Sequence, residues 1–195
     1  MKKAIFIVTI LFVAVISTAC INNMAVQELN NAAKSYMEQG DYNSAIERLE
    51  ASLDLDDNIY ETHYNLGVAY INAKQYPKAI DELNKALKLN SKYANVYYTL
   101  AVAQENNADA LIGCEDMMST NTDGEIVSNV PASDIYKNVS DSVKEQMIEG
   151  YLTSISNYQK YIEMINSEQK TAEVSSHIAD MEKVLAKLGY SGSVE

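Results

Sequence analysis

An all-α fold of repeated helix-turn-helix units is what this 195-residue sequence predicts, on three observations. Residues of matching size recur at a spacing of about 34 positions, the length of two helices and their turns. Ala33, Tyr36, Ala45, Leu49 and Ser52 stand one period before Gly67, Tyr70, Ala79, Leu83 and Ala86. Glycine and proline are scarce, at 7 and 2, so few positions interrupt a helix. Apolar residues return at every third or fourth position, the step of a helix that buries one face. The length suffices for one ordinary domain with a real core.

The N-terminus stands apart from this pattern. Met1-Lys2-Lys3 precedes an apolar run from Ala4 to Ile16, broken only by Thr9, which has the shape of a signal peptide over residues 1–19. The run is shorter than the roughly 20 residues that span a bilayer. Ile16-Ser17-Thr18-Ala19-Cys20 resembles the bacterial lipoprotein signal, in which lipid is attached to the cysteine that becomes the first residue. Ser17 departs from the aliphatic residue that pattern prefers, and ordinary cleavage after Ala19 is the alternative, giving a periplasmic or secreted protein. One of only two cysteines lies at this boundary, which favours Cys20 as a lipid attachment site and a membrane-anchored protein of the bacterial cell envelope. Two acyl chains would hold stably at about 0.8 kcal/mol per buried CH₂. Cys114 reads as a small buried residue, and a Cys20 to Cys114 disulfide stays open if Cys20 carries no lipid.

Residues 20–25 are expected to form a tether, and the domain to occupy 26–189. Its first unit is 26–59. There Gly40 tolerates the positive φ that ends a helix, and Asp41 can cap the next one. The second unit is 60–93, where Pro77 suits the first turn of a helix because its missing N–H is no loss there. A third unit opens at Ala94, with Tyr97, Leu100 and Ala101 repeating His63, Leu66 and Gly67. Its second helix arrives late, with Ser154 where residue 113 was due, a delay of 41 residues. The third unit therefore extends over 94–168 and carries a lengthened helical hairpin. One arm keeps a helical step from Val96 through Leu111 and Cys114 to Met118, with a split as the alternative because Asn106, Asn107, Asp109 and Gly113 lower helix propensity, and the other arm keeps it from Val143 to Ile165. Between them, 119–140 is rich in Ser, Thr, Asn and Asp and reads as an exposed loop, dispensable for folding. A last helix, 171–188, places Val174, Ile178, Met181, Leu185 and Leu188 on one face and stops at Gly189, leaving 190–195 as a tail. It can cap the open end of the array, with a short coiled-coil seam as the alternative.

His63, Leu66, Gly67, Tyr70, Ala79, Leu83 and Ala86 stand at the spacing of a tetratricopeptide repeat, and the chain resembles that family from Val26 to about Leu188. His63 takes the place of the family's Trp, Leu83 of its Phe and Ser91 of its closing Pro. The resemblance implies a helix-turn-helix solenoid whose first helices line a groove for a peptide or helix of another protein, and it implies no enzyme. Where the family grips a C-terminal carboxylate, a clamp of Lys, Asn and Arg is needed, and of these only Asn65 matches. Asn30 and Lys34 stand in reverse order, and Asn95 and Thr99 occupy places that need bases. The groove side instead aligns Tyr64, Val68 and Ile71 with Tyr98 and Val102, an apolar face suited to an amphipathic helix or extended apolar peptide. The competing reading is that the chain's own hairpin or last helix covers these residues.

The whole chain carries 27 acids against 15 bases, a net charge of −12, which disfavours a nucleic-acid partner because phosphate binding needs basic faces. Acids dominate from Asp41 to Glu61 and lysines from Lys74 to Lys92, read as solvated helix surfaces with a steering field as the alternative. Asn121-Thr122-Asp123-Gly124-Glu125 is no calcium loop, since Ser119 and Val130 would occupy places that require acids. No metal or cofactor site and no catalytic constellation stands out, and His63, at a packing position, and His177, beside the apolar face of the last helix, both read as structural. The function expected is an interaction module, an adaptor or assembly factor. A self-associating envelope scaffold is the alternative, and an enzyme ranks behind both.

Overall fold

The computed structural model describes residues 23–112, 119–120, 126–127, 136 and 139–192. The signal segment, Cys20 and Cys114 lie outside the described residues. The chain divides into two compact units, Met1–Asn90 and Ser91–Glu195, each taken here by itself. The fold is all-α apart from one two-residue antiparallel ladder, Ser119–Thr120 with Ile126–Val127. No described helix is long and apolar enough to cross a membrane.

The first unit contains α1 over residues 23–38, α2 Tyr42–Leu53, α3 Tyr60–Asn72 and α4 Tyr76–Leu89. Helix α1 includes residues 23–25, which the sequence reading assigned to the tether. It ends where Gly40 adopts φ +76 and Asp41 N–H reaches back to the Tyr36 carbonyl at 2.9 Å. Asp41 then caps α2 by accepting from Ser44 N–H at 3.1 Å, and the Ser44 side chain first, then this bond, holds its carboxyl below the usual range. One period later the same turn ends α3 with no glycine. Lys74 takes φ +58 there, and Gln75 N–H reaches the Tyr70 carbonyl at 2.8 Å. Pro77 stands in the first turn of α4, as expected.

Small residues set the helix spacing. A Cβ on Gly67 would lie 2.6 Å from Leu83 Cγ, so α3 and α4 meet at a distance only glycine permits. Ala45, Ala79, Ala86, Leu49, Leu83 and Ser52 are all at 0% exposure, the buried positions that the period pairs. Polar groups inside are tied together. Asn30 Nδ2 lies 2.8 Å from Ser52 Oγ, 3.1 Å from Thr62 Oγ1 and 3.0 Å from the Val26 carbonyl, joining α1, α2 and α3. His63 is buried, with Nδ1 2.6 Å from Glu82 Oε2 and Nε2 2.8 Å from the Asp57 carbonyl. Both partners accept, which fixes the ring between α4 and the turn before α3.

The second unit contains α5 Ala94–Ala110, α6 Asp141–Met164 and α7 Glu168–Lys187. Helix α5 ends at Ala110, a break that the low-propensity run Asn106, Asn107 and Asp109 allows, and the part of the expected arm from 113 to Met118 lies outside the described residues. Helices α5 and α6 are pressed together through Gly150, where a Cβ would meet Ala108 Cβ at 2.9 Å, and through Ser154, whose hydroxyl donates to the Ala101 carbonyl at 2.8 Å. Helix α7 starts three residues before the expected Thr171, because Ser167 caps it by accepting from Lys170 N–H at 3.5 Å. Its expected apolar face is buried, from Val174 to Leu188, and Gly189 follows at φ +90.

The stretch expected to be an exposed loop departs from that expectation at its C-terminal end. Val139 is 6% exposed and belongs to the core, and Tyr136 packs against the same cluster. The Tyr151 hydroxyl donates to Asp109, and Tyr136 interacts with Tyr151, so this end is held by aromatic and polar contacts that an apolar period does not reveal.

Candidate functional site

Of the six expected groove residues, four lie in the first unit. Tyr64, Asn65, Val68 and Ile71 fall within one stretch of α3, at steps of one, three and three, and all are half-buried. Asn30, weighed as a clamp residue, has its amide nitrogen committed to Ser52 and Thr62. On α4 the lysine run is partly engaged within the unit. Lys78 Nζ lies 5.3 Å above the Tyr70 ring, and Lys85 pairs with Glu82 at 2.7 Å. Tyr70 donates its hydroxyl to Glu50 at 2.6 Å, and burial, then this bond, raises its pKa.

The other two residues, Tyr98 and Val102, belong to α5 in the second unit. Val102 is half-buried against that unit's core. Tyr98 is 42% exposed and forms one wall of a pocket of about 420 Å³ framed by α5, α6 and α7. Tyr158 and Tyr161, one turn apart on α6, supply two further rings and are 2% and 5% exposed. From α7 come Val174 and His177, with Lys170 and Glu173 one turn earlier.

The ring geometry is specific. Tyr98 meets Tyr158 at 5.5 Å between centroids and 70°, and Tyr161 at 5.2 Å and 56°. His177 stands edge-on to Tyr158 at 5.4 Å and 86°. Glu105, one turn beyond Val102 on α5, holds the cluster from behind. Its Oε2 accepts the Tyr158 hydroxyl at 3.1 Å and lies 2.8 Å from His177 Nε2. Burial first, then the Glu105 charge, raises the Tyr158 pKa, so the phenol keeps its proton. His177, read from sequence as structural, is therefore a half-exposed wall residue tied to α5.

Sequence reasoning found Tyr98 but missed Tyr158, Tyr161, His177 and Glu105. A signal was present. At the two positions where the second unit has Leu83 and Ala86, the third has Tyr158 and Tyr161, two hydroxyl-bearing rings. Among the described residues, no group of three or more His, Cys, Asp or Glu is placed to hold a metal ion.

Three comparisons with known proteins bear on this architecture. A family model described as Tetratricopeptide repeat matches residues 30–94. No curated protein matches the chain. Among solved structures, the chain is similar to the first tetratricopeptide domain of Spaghetti (RPAP3) bound to an HSP90 peptide, with TM-score 0.55 and 16% identity over 84% of this chain and 97% of that one. It is similar to the second such domain of human RPAP3 in complex with an HSP70 peptide, with TM-score 0.55 and 10% identity over 83% and 98%. The corresponding domain of Sgt2 from Aspergillus fumigatus follows, with TM-score 0.50 and 14% identity over 87% and 88%. Residues 30–94 are tetratricopeptide repeats, and the chain has the helical fold of tetratricopeptide-repeat domains.

Proposed function

We propose that the protein is an interaction module that binds a peptide or helix of a partner protein, is held in the bacterial envelope through lipid on Cys20, and performs no catalysis. Supporting this reading, the solved domains that share the fold were captured with the HSP90 peptide SRMEEVD and the HSP70 peptide SGPTIEEVD. The ligand class differs for this chain. Those peptides end in acids, whereas this chain is itself acidic at −12, commits Asn30 internally and has Asn95 and Thr99 where a clamp needs bases. The single observation that carries the reading is Tyr98, an aromatic residue 42% exposed in the lining of a pocket that also contains Tyr158, Tyr161 and His177. Tyr64, Asn65, Val68 and Ile71 are the residues proposed for binding in the first unit, and Val102 is proposed with Tyr98 in the second, each unit taken by itself.

Crosslinking in the native envelope, followed by recovery of the tagged chain, tests the reading. A partner is expected with wild type and is expected to be lost with Tyr64→Ala and Tyr98→Ala at unchanged melting temperature. Loss of recovery explained by unfolding, or self-association of the signal-less domain with no partner, would overturn it. Mass spectrometry of the N-terminal peptide tests the anchor: an unmodified Cys20 removes the membrane from the account.

A further inference from the structure

We propose that the pocket framed by α5, α6 and α7 is a subsite for one aromatic side chain, a tryptophan or phenylalanine, of a bound peptide. The proposal rests on the peptide-binding reading and adds the chemistry that the peptide must carry.

The walls are rings. Tyr98 stands 5.5 Å and 70° from Tyr158 and 5.2 Å and 56° from Tyr161, with His177 edge-on to Tyr158. These are the separations and tilts at which aromatic rings pair favourably, and a further ring would extend the same cluster. Tyr158 and Tyr161 are covered, whereas Tyr98 is 42% exposed, so the cluster is open on its Tyr98 side.

Two polar groups of the walls are engaged already, while Asn95 adds an amide to the lining. The Tyr158 hydroxyl and His177 Nε2 both go to Glu105 Oε2. A polar or charged group entering the pocket would lose water and find those partners taken, a poor exchange. Val174, 7% exposed, adds aliphatic surface to the lining. Charge points the same way. The lining contains one lysine and one carboxylate, Lys170 and Glu173, which together select neither cation nor anion but complement the donors and acceptors of a peptide backbone. A volume of about 420 Å³ accommodates an indole with adjoining backbone.

The chain contains no tryptophan, so an indole probe reports against no background of its own kind. A fixed low concentration of N-acetyl-tryptophanamide is titrated with the full chain while its emission is followed. N-acetyl-phenylalaninamide and N-acetyl-argininamide then compete. The expected result is a saturable blue shift, reversed more readily by the phenylalanine than by the arginine compound, with the Val174 methyl resonances of wild type shifting in parallel. Tyr98→Ala weakens binding by about tenfold or more, and Tyr98→Phe retains it, because the ring and not the hydroxyl does the packing. No blue shift, stronger competition by the arginine compound, or resonance changes that bypass Val174 would each overturn the subsite. Should Tyr98→Ala fail to fold, the wild-type competition order and the Val174 shifts decide. The two readings fail separately. Probe binding with no partner recovered from the envelope ends the adaptor reading and leaves the subsite, whereas a recovered partner with no probe binding does the reverse.

Discussion

Replacing Gly67 by alanine sets helix propensity against packing, and the structure decides which wins. Alanine favours an isolated helix over glycine by about 1 kcal/mol. Here the new Cβ would stand 2.6 Å from Leu83 Cγ, 2.8 Å from its Cδ2 and 3.3 Å from its Cδ1. Ordinary carbon contacts lie near 3.5–4.0 Å. Leu83 is at 0% exposure, so it cannot swing aside, and α3 and α4 must separate. Overpacking of this kind costs about 1–3 kcal/mol, and the severity of the overlap places this case near the upper end. The net expectation is a loss of about 2 kcal/mol. That lowers Tm by about 4–8 °C if the whole chain melts as one, and by about twice that if Met1–Asn90 melts alone. The assay is denaturant unfolding followed by circular dichroism, in wild type and in Leu83→Ala. Leu83→Ala alone costs about 3–5 kcal/mol by leaving a cavity. In that background the added methyl has room, and Gly67→Ala should change sign to a gain of up to about 1 kcal/mol. A stabilising Gly67→Ala in wild type, or an equal cost in both backgrounds, would refute close approach as the reason for this glycine.

The turn that recurs at Gly40 and Lys74 predicts opposite outcomes for opposite changes: Lys74→Gly stabilises by about 1 kcal/mol and Gly40→Ala destabilises by about as much, since both positions have positive φ and no atom crowds Gly40. Equal signs for the two in thermal melts would refute this. Replacing 119–135 with a Gly/Ser linker should leave a cooperative melt, whereas extending the replacement through 140 removes Tyr136 and Val139 and costs about 2–4 kcal/mol. Equal melting of the two variants would show that neither residue anchors the insertion. Tyr151 and Tyr158 have pKa values raised from 10.0, in both cases chiefly by burial, helped by Asp109 for the first and Glu105 for the second. Above about pH 10 the folded chain therefore binds more protons than the unfolded chain, so stability that is complete below that pH declines as pH rises. Tyr151→Phe with Tyr158→Phe should flatten that decline in melts between about pH 9 and about pH 11, and an unchanged slope would sink the account.

What could be read from residues alone was local or periodic. Helix ends are written by short-range chemistry, as at Gly40-Asp41, Pro77 and Gly189, and the small buried positions follow from the period. Lys74 hid the same turn because its side chain is not one that favours positive φ; only its place one period after Gly40 marks it. The end of α5 was left open by the sequence for a different reason. An apolar step through Met118 is compatible with a helix but does not compel one when Asn106, Asn107 and Asp109 weaken the segment.

The site divides along the same line. Tyr98 was legible as an aromatic residue on the groove side of a first helix, and its repeat position alone carried that far. Its surroundings were decided by tertiary structure, because Tyr158 and His177 are brought to Glu105 from 53 and 72 residues away. Asn30 shows the converse. By sequence it only stands out of order with Lys34 for a ligand clamp, and the meeting of α1, α2 and α3 turns its amide inward to Ser52 and Thr62. The repeating size of buried residues determined the helical fold, since helix spacing depends on volume at a few positions. Which polar and aromatic groups remain available to a ligand depended on pairings between distant segments, and a side chain's identity does not encode which partner reaches it first.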